Sequence, residues 1–259
     1  MTSLSVPERL RLPLRFDAAR LQEELARLPP EAWVPHFNKR EYEGEWSGVP
    51  LRSIGGEEGR IYPDPTGRER YADTPLLARH PAFREVLAAF RCPIGSARLL
   101  KLAAGARIRE HTDYNLGFED GEVRLHVPIA THPDVAFFLS GQRVVMRPGE
   151  CWYLDFNRPH RVENPTDVDR VHLVMDCVVD DWLRALFAEA MALPDDFERF
   201  RQLVLEEPFL QEALEATADT RAFTALARKL GAERGCHFTD EDVREALRDA
   251  RRTWRERWV

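Results

Sequence analysis

The chain has no CxxC pair; its four cysteines, at 92, 151, 177 and 236, are scattered over 259 residues. That spacing excludes a zinc knuckle and a disulfide framework and leaves the cysteines as small core residues. Long hydrophobic runs are missing too, so no segment reaches the length of a membrane span. The first residues, MTSLSVPERLRLPLRF, lack the cationic start and apolar stretch of a secretion signal, which makes the cytoplasm the expected location. Lysine is confined to positions 39, 101 and 229, and the net charge is −7. No basic surface for nucleic acid is expected from this balance. Repeats and low-complexity tracts are likewise absent.

What is present falls into three textures. RLPLRF opens with alternation, then Asp17 stands as an N-cap before leucines at 21, 25 and 28 on one helical stripe, which Pro29 and Pro30 end. Residues 33–74, rich in glycine, proline and aromatics, read as loops and short strands. From Ala97 to Val179 short β-rich runs are separated by turn signals such as Ser140-Gly141 and Pro148-Gly149. This predicts a mainly β core, a double-stranded β-helix (jelly roll) of the cupin kind. Near Asp180 the pattern turns helical, with apolar residues three and four apart and Thr239 or Asp240 as the N-cap of a late helix. The expected division is a jelly-roll domain over 1–180, a helix and linker over 181–194, and an all-α domain over 195–259. Trp254 and Trp258, four apart, are expected to cover core.

Within the β region polar residues recur in pairs two apart: His111 and Asp113, Arg124 and His126, Arg170 and His172. On a strand both members of such a pair face one side, and burying them without partners is costly. His111, Asp113 and His160 supply two imidazoles and a carboxylate on a rigid scaffold. That is the donor set of a non-haem Fe(II) facial triad, which leaves two positions for a 2-oxo acid and one for O₂. An inward Arg170 on RVHLVMD needs a carboxylate partner, and the C5 carboxylate of 2-oxoglutarate supplies one. Arg124 and His126 share one face of RLHVPI. They reach the other end of that cosubstrate, or they stand as a rim salt bridge and a hydrogen-bonded core histidine.

In order along Trp33 to Val179, the segments WVPHFN, YEGEWSGVPLRS, YADTPLL, HTD, VRLHVPIAT, GECWYLDF, PHRVEN and RVHLVMD resemble the aspartyl/asparaginyl β-hydroxylases and the bacterial proline hydroxylases that share their jelly roll. The resemblance implies an Fe(II)- and 2-oxoglutarate-dependent dioxygenase with iron on His111, Asp113 and His160. It further implies Arg170 on the C5 carboxylate, and Arg124 and His126 near C1. The animal peptide hydroxylases lack the carboxylate that stands here as Asp113, so the chain looks more like the bacterial branch. His132 replaces an expected asparagine, as a turn residue or a substrate contact. The implied reaction hydroxylates an unactivated carbon, at or near β, of an amino acid residue, free or in a peptide, and releases succinate and CO₂. Arg98, Arg109 and Arg161 are available to acidic groups of such a substrate.

The tail from Phe197 resembles the nitrogen-fixation-type leader-peptide domain of ribosomal natural-product precursors, which hints at a precursor-peptide substrate. Otherwise it is a helical appendage that packs on the barrel or makes a homodimer. Two other classes compete. One is a cupin-like metal and small-ligand binding protein or sensor without turnover; the other is an isomerase-type cupin that needs neither O₂ nor 2-oxoglutarate.

Overall fold

The computed structural model describes residues 5–62, 70–244 and 246–248. Trp254 and Trp258 lie outside the described residues. The chain divides into two compact units, residues 1–141 with 146–191, and residues 192–259 with 142–145.

In chain order the strands are β1 (Arg9–Arg15), β2 (Val34–Pro35), β3 (Tyr42–Glu43), β4 (Trp46–Ile54), β5 (Tyr71–Asp73), β6 (Ile94–Leu102), β7 (Arg107–His111), β8 (Glu122–Ala130), β9 (Ala136–Leu139), β10 (Gln142–Val144), β11 (Glu150–Leu154), β12 (His160–Glu163) and β13 (Arg170–Val178). They form two sheets. The larger has the order β1-β11-β8-β13-β6-β4-β2, with β5 on β4, and the smaller β10-β9-β12-β7-β3. Strands neighbouring in the larger sheet run antiparallel. This is the double-sheet jelly roll expected from the pattern of short runs and turns.

Alternation along the strands decides what each face of the large sheet does. Odd-numbered residues, among them Val49, Leu51, Ala97, Leu99, Val123, Leu125, Val127, Leu173 and Met175, are fully buried in the main hydrophobic core. That core also takes in helices α1 (Ala18–Leu25), α2 (Pro75–Arg79), α3 (Pro81–Ala88) and α4 (Asp181–Ala192), through Leu21, Leu77, Phe83 and Phe187. Burying a side chain of this size stabilises by about 1.5–3 kcal/mol before chain entropy is charged against it. The even-numbered residues turn to the small sheet, where the ring of His126 on β8 meets Phe137 on β9 at 6.2 Å between centroids. Helices α2 and α3 were not expected. Thr74 accepts from the Leu77 amide, and a proline opens each helix, a position where the missing N–H costs nothing.

The expected caps and turns are present. Asp17 accepts from the Arg20 amide at 3.1 Å. Ser140 and Gly141 both have positive φ, 49° and 75°, as a tight hairpin turn between right-twisted strands demands. At Gly149 a Cβ would lie 2.2 Å from the Phe16 carbonyl oxygen, so β1 can dock here only against glycine. All four cysteines are free and buried.

The second unit holds α5 (Asp196–Glu206), α6 (Pro208–Glu215) and α7 (Thr220–Glu233), followed by helical residues 240–244. Its own core contains Phe200, Leu210, Leu214, Ala227, Leu230 and Phe238. Thr239 and Asp242 cap each other: Thr239 Oγ1 accepts from the Asp242 amide at 3.2 Å, and Asp242 accepts from the Thr239 amide at 2.6 Å. Among the described residues no helix is long and apolar enough to cross a membrane.

Candidate active site

His111 ends β7 and His160 opens β12, and the antiparallel pairing places them directly opposite each other. Their ring centroids are 4.2 Å apart. Asp113 follows on the loop after β7, where its amide donates to the Phe156 carbonyl at 2.9 Å. One ligand atom from each of His111, Asp113 and His160 lies within 4.8 Å of the other two. Both imidazoles are oriented in the same way. Nδ1 of His111 meets the Arg109 carbonyl at 2.8 Å, and Nδ1 of His160 meets the Arg158 carbonyl at 3.0 Å. A carbonyl only accepts, so the proton sits on Nδ1 and the Nε2 lone pair is left for a metal. Burial holds His160 neutral, pushing its pKa down to about 4.

A run of buried charge crosses the inner face of the large sheet. Asp176 on β13 lies opposite Arg124 of β8 and is 1% exposed. It accepts from Arg124 Nε at 2.7 Å and NH2 at 3.1 Å, from Arg98 NH1 at 3.0 Å and from Ser96 Oγ at 2.8 Å. Burial alone would raise its pKa, but the Arg124 and Arg98 guanidiniums hold its carboxyl well below the usual carboxylate range. The remaining terminal nitrogen of Arg124, NH1, donates to Asp113 Oδ2. Arg124 was expected at the cosubstrate or on the rim. Its side chain is 11% exposed and is engaged by two carboxylates of the protein, Asp176 across from it in register and Asp113.

The other inward pair of β13 is arranged differently. Arg170, 3% exposed, donates from NH2 to His172 Nδ1 at 2.9 Å and has no acidic partner among the described residues. Burial lowers its pKa to about 9. Arginine can only donate, so His172 Nδ1 accepts, and across the 3.3 Å between the two Nδ1 atoms His126 must be the donor. Nε2 of His126 is then a buried lone pair, and it has no partner among the described residues. Burial and the Arg170 charge keep both imidazoles neutral, with pKa values well below the ordinary 6.5. Phe156 stacks on His126 at 5.2 Å and meets His160 edge-on at 4.5 Å, which closes the compartment with apolar surface.

His36 and Trp46, stacked at 3.6 Å, form a further wall with Tyr42 edge-on to the indole at 5.7 Å. Burial first, and then the nearby Arg98 charge, lowers the His36 pKa to about 4, with Asp113, His111 and Arg124 also within electrostatic reach. The sequence reading did not assign His36, Trp46 or Asp176. Of the three arginines set aside for substrate, Arg98 pairs with Asp176, Arg109 with Glu43, and Arg161 with Glu110 and Glu163. His132 is a turn residue whose Nδ1 accepts from the Asp134 amide at 3.2 Å.

These donors fit an iron(II) ion and a dicarboxylic cosubstrate. Two imidazole nitrogens and a carboxylate converge, and the buried Arg170 guanidinium on β13 has no acid to pair with among the described residues. The neighbours found among solved structures include an oxidoreductase of the 2OG-Fe(II) oxygenase family from Burkholderia pseudomallei, at 16% identity over 66% of this chain and 85% of that one, with a TM-score of 0.42. SnoN, a non-haem α-ketoglutarate-dependent epimerase from nogalamycin biosynthesis, matches at 16% identity over 66% and 76%, with a TM-score of 0.41. A predicted oxalate decarboxylase from Thermotoga maritima matches at 14% over 59% and 98%, with a TM-score of 0.31. The sequence profile of the aspartyl/asparaginyl beta-hydroxylases matches residues 15–179. The chain belongs to that family, and is a non-haem iron hydroxylase that uses Fe(II) and 2-oxoglutarate.

Proposed function

We propose that this enzyme hydroxylates an amino acid residue, free or within a peptide, at the β carbon or a neighbour, with iron on His111, Asp113 and His160. The observation that carries the assignment of roles is Arg170, a buried cation linked through His172 to His126, whose ring meets Phe156 as that of His160 does, and without an acidic partner among the described residues. Bound iron, with O₂ and 2-oxoglutarate, supplies the oxidant that places one oxygen in a C–H bond while succinate and CO₂ are released.

The protein's part is orientation, exclusion of water and control of charge. His111 and His160 present Nε2 because backbone carbonyls two residues upstream, of Arg109 and Arg158, hold Nδ1. Arg170 takes the distal carboxylate of the cosubstrate, which relieves the strain of its own burial. His126 lies on the same side, with Nε2 open to the cosubstrate. Arg124 serves the metal ligand Asp113. Phe137 and Phe156 keep the compartment dry, and His36 with Trp46 bounds the space left for substrate.

Aerobic incubation with iron, ascorbate, 2-oxoglutarate and pools of amino acids and peptides tests this reading. A substrate gaining one oxygen by mass spectrometry, in step with succinate, is the expected result. Tight binding of 2-oxoglutarate with no succinate under any pool would instead indicate a ligand-binding protein without turnover.

A further inference from the structure

Asp176 is itself no proposed ligand, yet its hydrogen bonds lead through one residue, Arg124, to a carboxylate that is. Both of its oxygens engage one edge of the Arg124 guanidinium, Oδ1 with Nε and Oδ2 with NH2. This bidentate pair fixes the plane of the guanidinium and leaves NH1 directed at Asp113 Oδ2. Asp176 is itself pinned from β6, the strand on its other side, by Ser96 and Arg98. The chain of contacts therefore runs from β6 through β13 and β8 to the carboxylate after β7. Asp113 needs such a hold. Its backbone is tied at one amide, but it stands in a loop whose next residues include the exposed Tyr114 and Asn115 at φ 60°.

We propose that Asp176 is a positioning residue for the metal-binding carboxylate: through Arg124 it fixes which oxygen of Asp113 is presented to the ion. Arg124 occupies Oδ2, so Oδ1 is the oxygen offered. Two arginines, the buried Arg98 and the largely enclosed Arg124, face two carboxylates, Asp113 and Asp176. Without the charge of Asp176, Arg124 has one acid to turn to, closes on both oxygens of Asp113 and competes with the metal for them. The inference rests on the reading of His111, Asp113 and His160 as metal ligands.

The test is the dissociation constant for Co(II) alone, with the visible absorption of bound Co(II) as a second readout, on the full chain. Asp176→Asn should raise that constant at least tenfold and alter the Co(II) spectrum while circular dichroism stays that of the parent. Arg124→Gln should act in the same direction, and the double variant should resemble Arg124→Gln alone, because the route through Arg124 is then already cut. If Asp176→Asn does not fold, Asp176→Glu keeps the charge but displaces the oxygens, and should raise the constant threefold or more. Parent-like Co(II) binding in a folded Asp176 variant overturns the proposal, as do effects of the two substitutions that multiply in the double variant. Parent protein that binds no Co(II), or a His160→Ala variant that binds it as the parent does, would instead fail the metal-site reading itself, and this inference with it.

Discussion

Arg170 offers a perturbation whose two effects run in opposite directions. Its guanidinium is buried with one hydrogen bond among the described residues, to His172, and burial alone brings its pKa from the ordinary arginine value down to about 9. At roughly 1.4 kcal/mol for each tenfold change in a protonation constant, this is a penalty of about 5 kcal/mol, as an order of magnitude. The folded value lies below the unfolded one, so between about 9 and the ordinary arginine value the unfolded chain binds more protons and stability rises with pH. At neutral pH the penalty is present in full. Replacing Arg170 by methionine removes the charge and keeps most of the volume. It gives up the bond to His172, about 1 kcal/mol, and up to about 1.5 kcal/mol for imperfect packing. The metal-free, cosubstrate-free Arg170→Met protein should therefore be more stable than the parent by about 2–3 kcal/mol. Urea unfolding at pH 7.5, in the presence of a chelator, measures this. The same variant should lose the cosubstrate: calorimetric titration with 2-oxoglutarate, Mn(II) standing in for iron, should show affinity lower by orders of magnitude and Mn(II) affinity nearly unchanged. A variant less stable than the parent by about 2 kcal/mol, or one that binds 2-oxoglutarate within threefold of it, would refute the reasoning that this charge is held in reserve for a bound acid.

Three further outcomes are expected. His111→Ala and His160→Ala should each abolish stoichiometric metal binding and succinate formation, whereas Asp113→Ala should keep part of both; metal titration of the purified variants decides. Acid should destabilise the metal-free protein early. His126, His160 and His172 are held neutral, with folded values below 6.5, so the unfolded chain binds more protons below that pH. Their contribution is complete above pH 6.5 and is lost as pH falls toward 4, with a slope approaching roughly 4 kcal/mol per pH unit if all three act; a slope under about 1 across that window in urea titrations would contradict it. Cutting between Met191 and Phe197 should leave a β core that still binds metal and 2-oxoglutarate, with substrate hydroxylation falling much further than either affinity. A cut core that hydroxylates at the full-length rate would remove the helical unit from substrate presentation.

Most of the site was legible because strands alternate. Arg124 with His126 on β8 and Arg170 with His172 on β13 share a face by spacing, whereas Asp113 stands past the end of β7, on the loop, and converges with His111 and His160 from there. Asp176 lies on the same alternation, three steps of two from Arg170, but it sits alone inside the apolar run HLVMDCVV and gives no pair to notice. The acid that Arg124 pairs with was not legible for the same reason, since it is set by the register between β8 and β13, which no local pattern states. His36 had no local signal at all: it lies just after the two-residue strand β2, and its meeting with Trp46 depends on how β2 pairs with β4. Helices α2 and α3 were missed because each is short and opens with proline, a residue that reads as a loop unless it falls in the first turn.

The two imidazoles of the triad take their orientation from backbone carbonyls two residues upstream, one on β7 and one in the turn before β12. A carbonyl survives any substitution, so the metal-facing nitrogens are indifferent to sequence drift around them. The carboxylate arm is built the other way, from side chains at 96, 98, 124 and 176, every one of which a point mutation can change. Variation over evolutionary time should therefore collect in the third donor and its supports. A descendant could lose that donor, or exchange it for another anion, and gain an open coordination position while the histidine pair stays as it is.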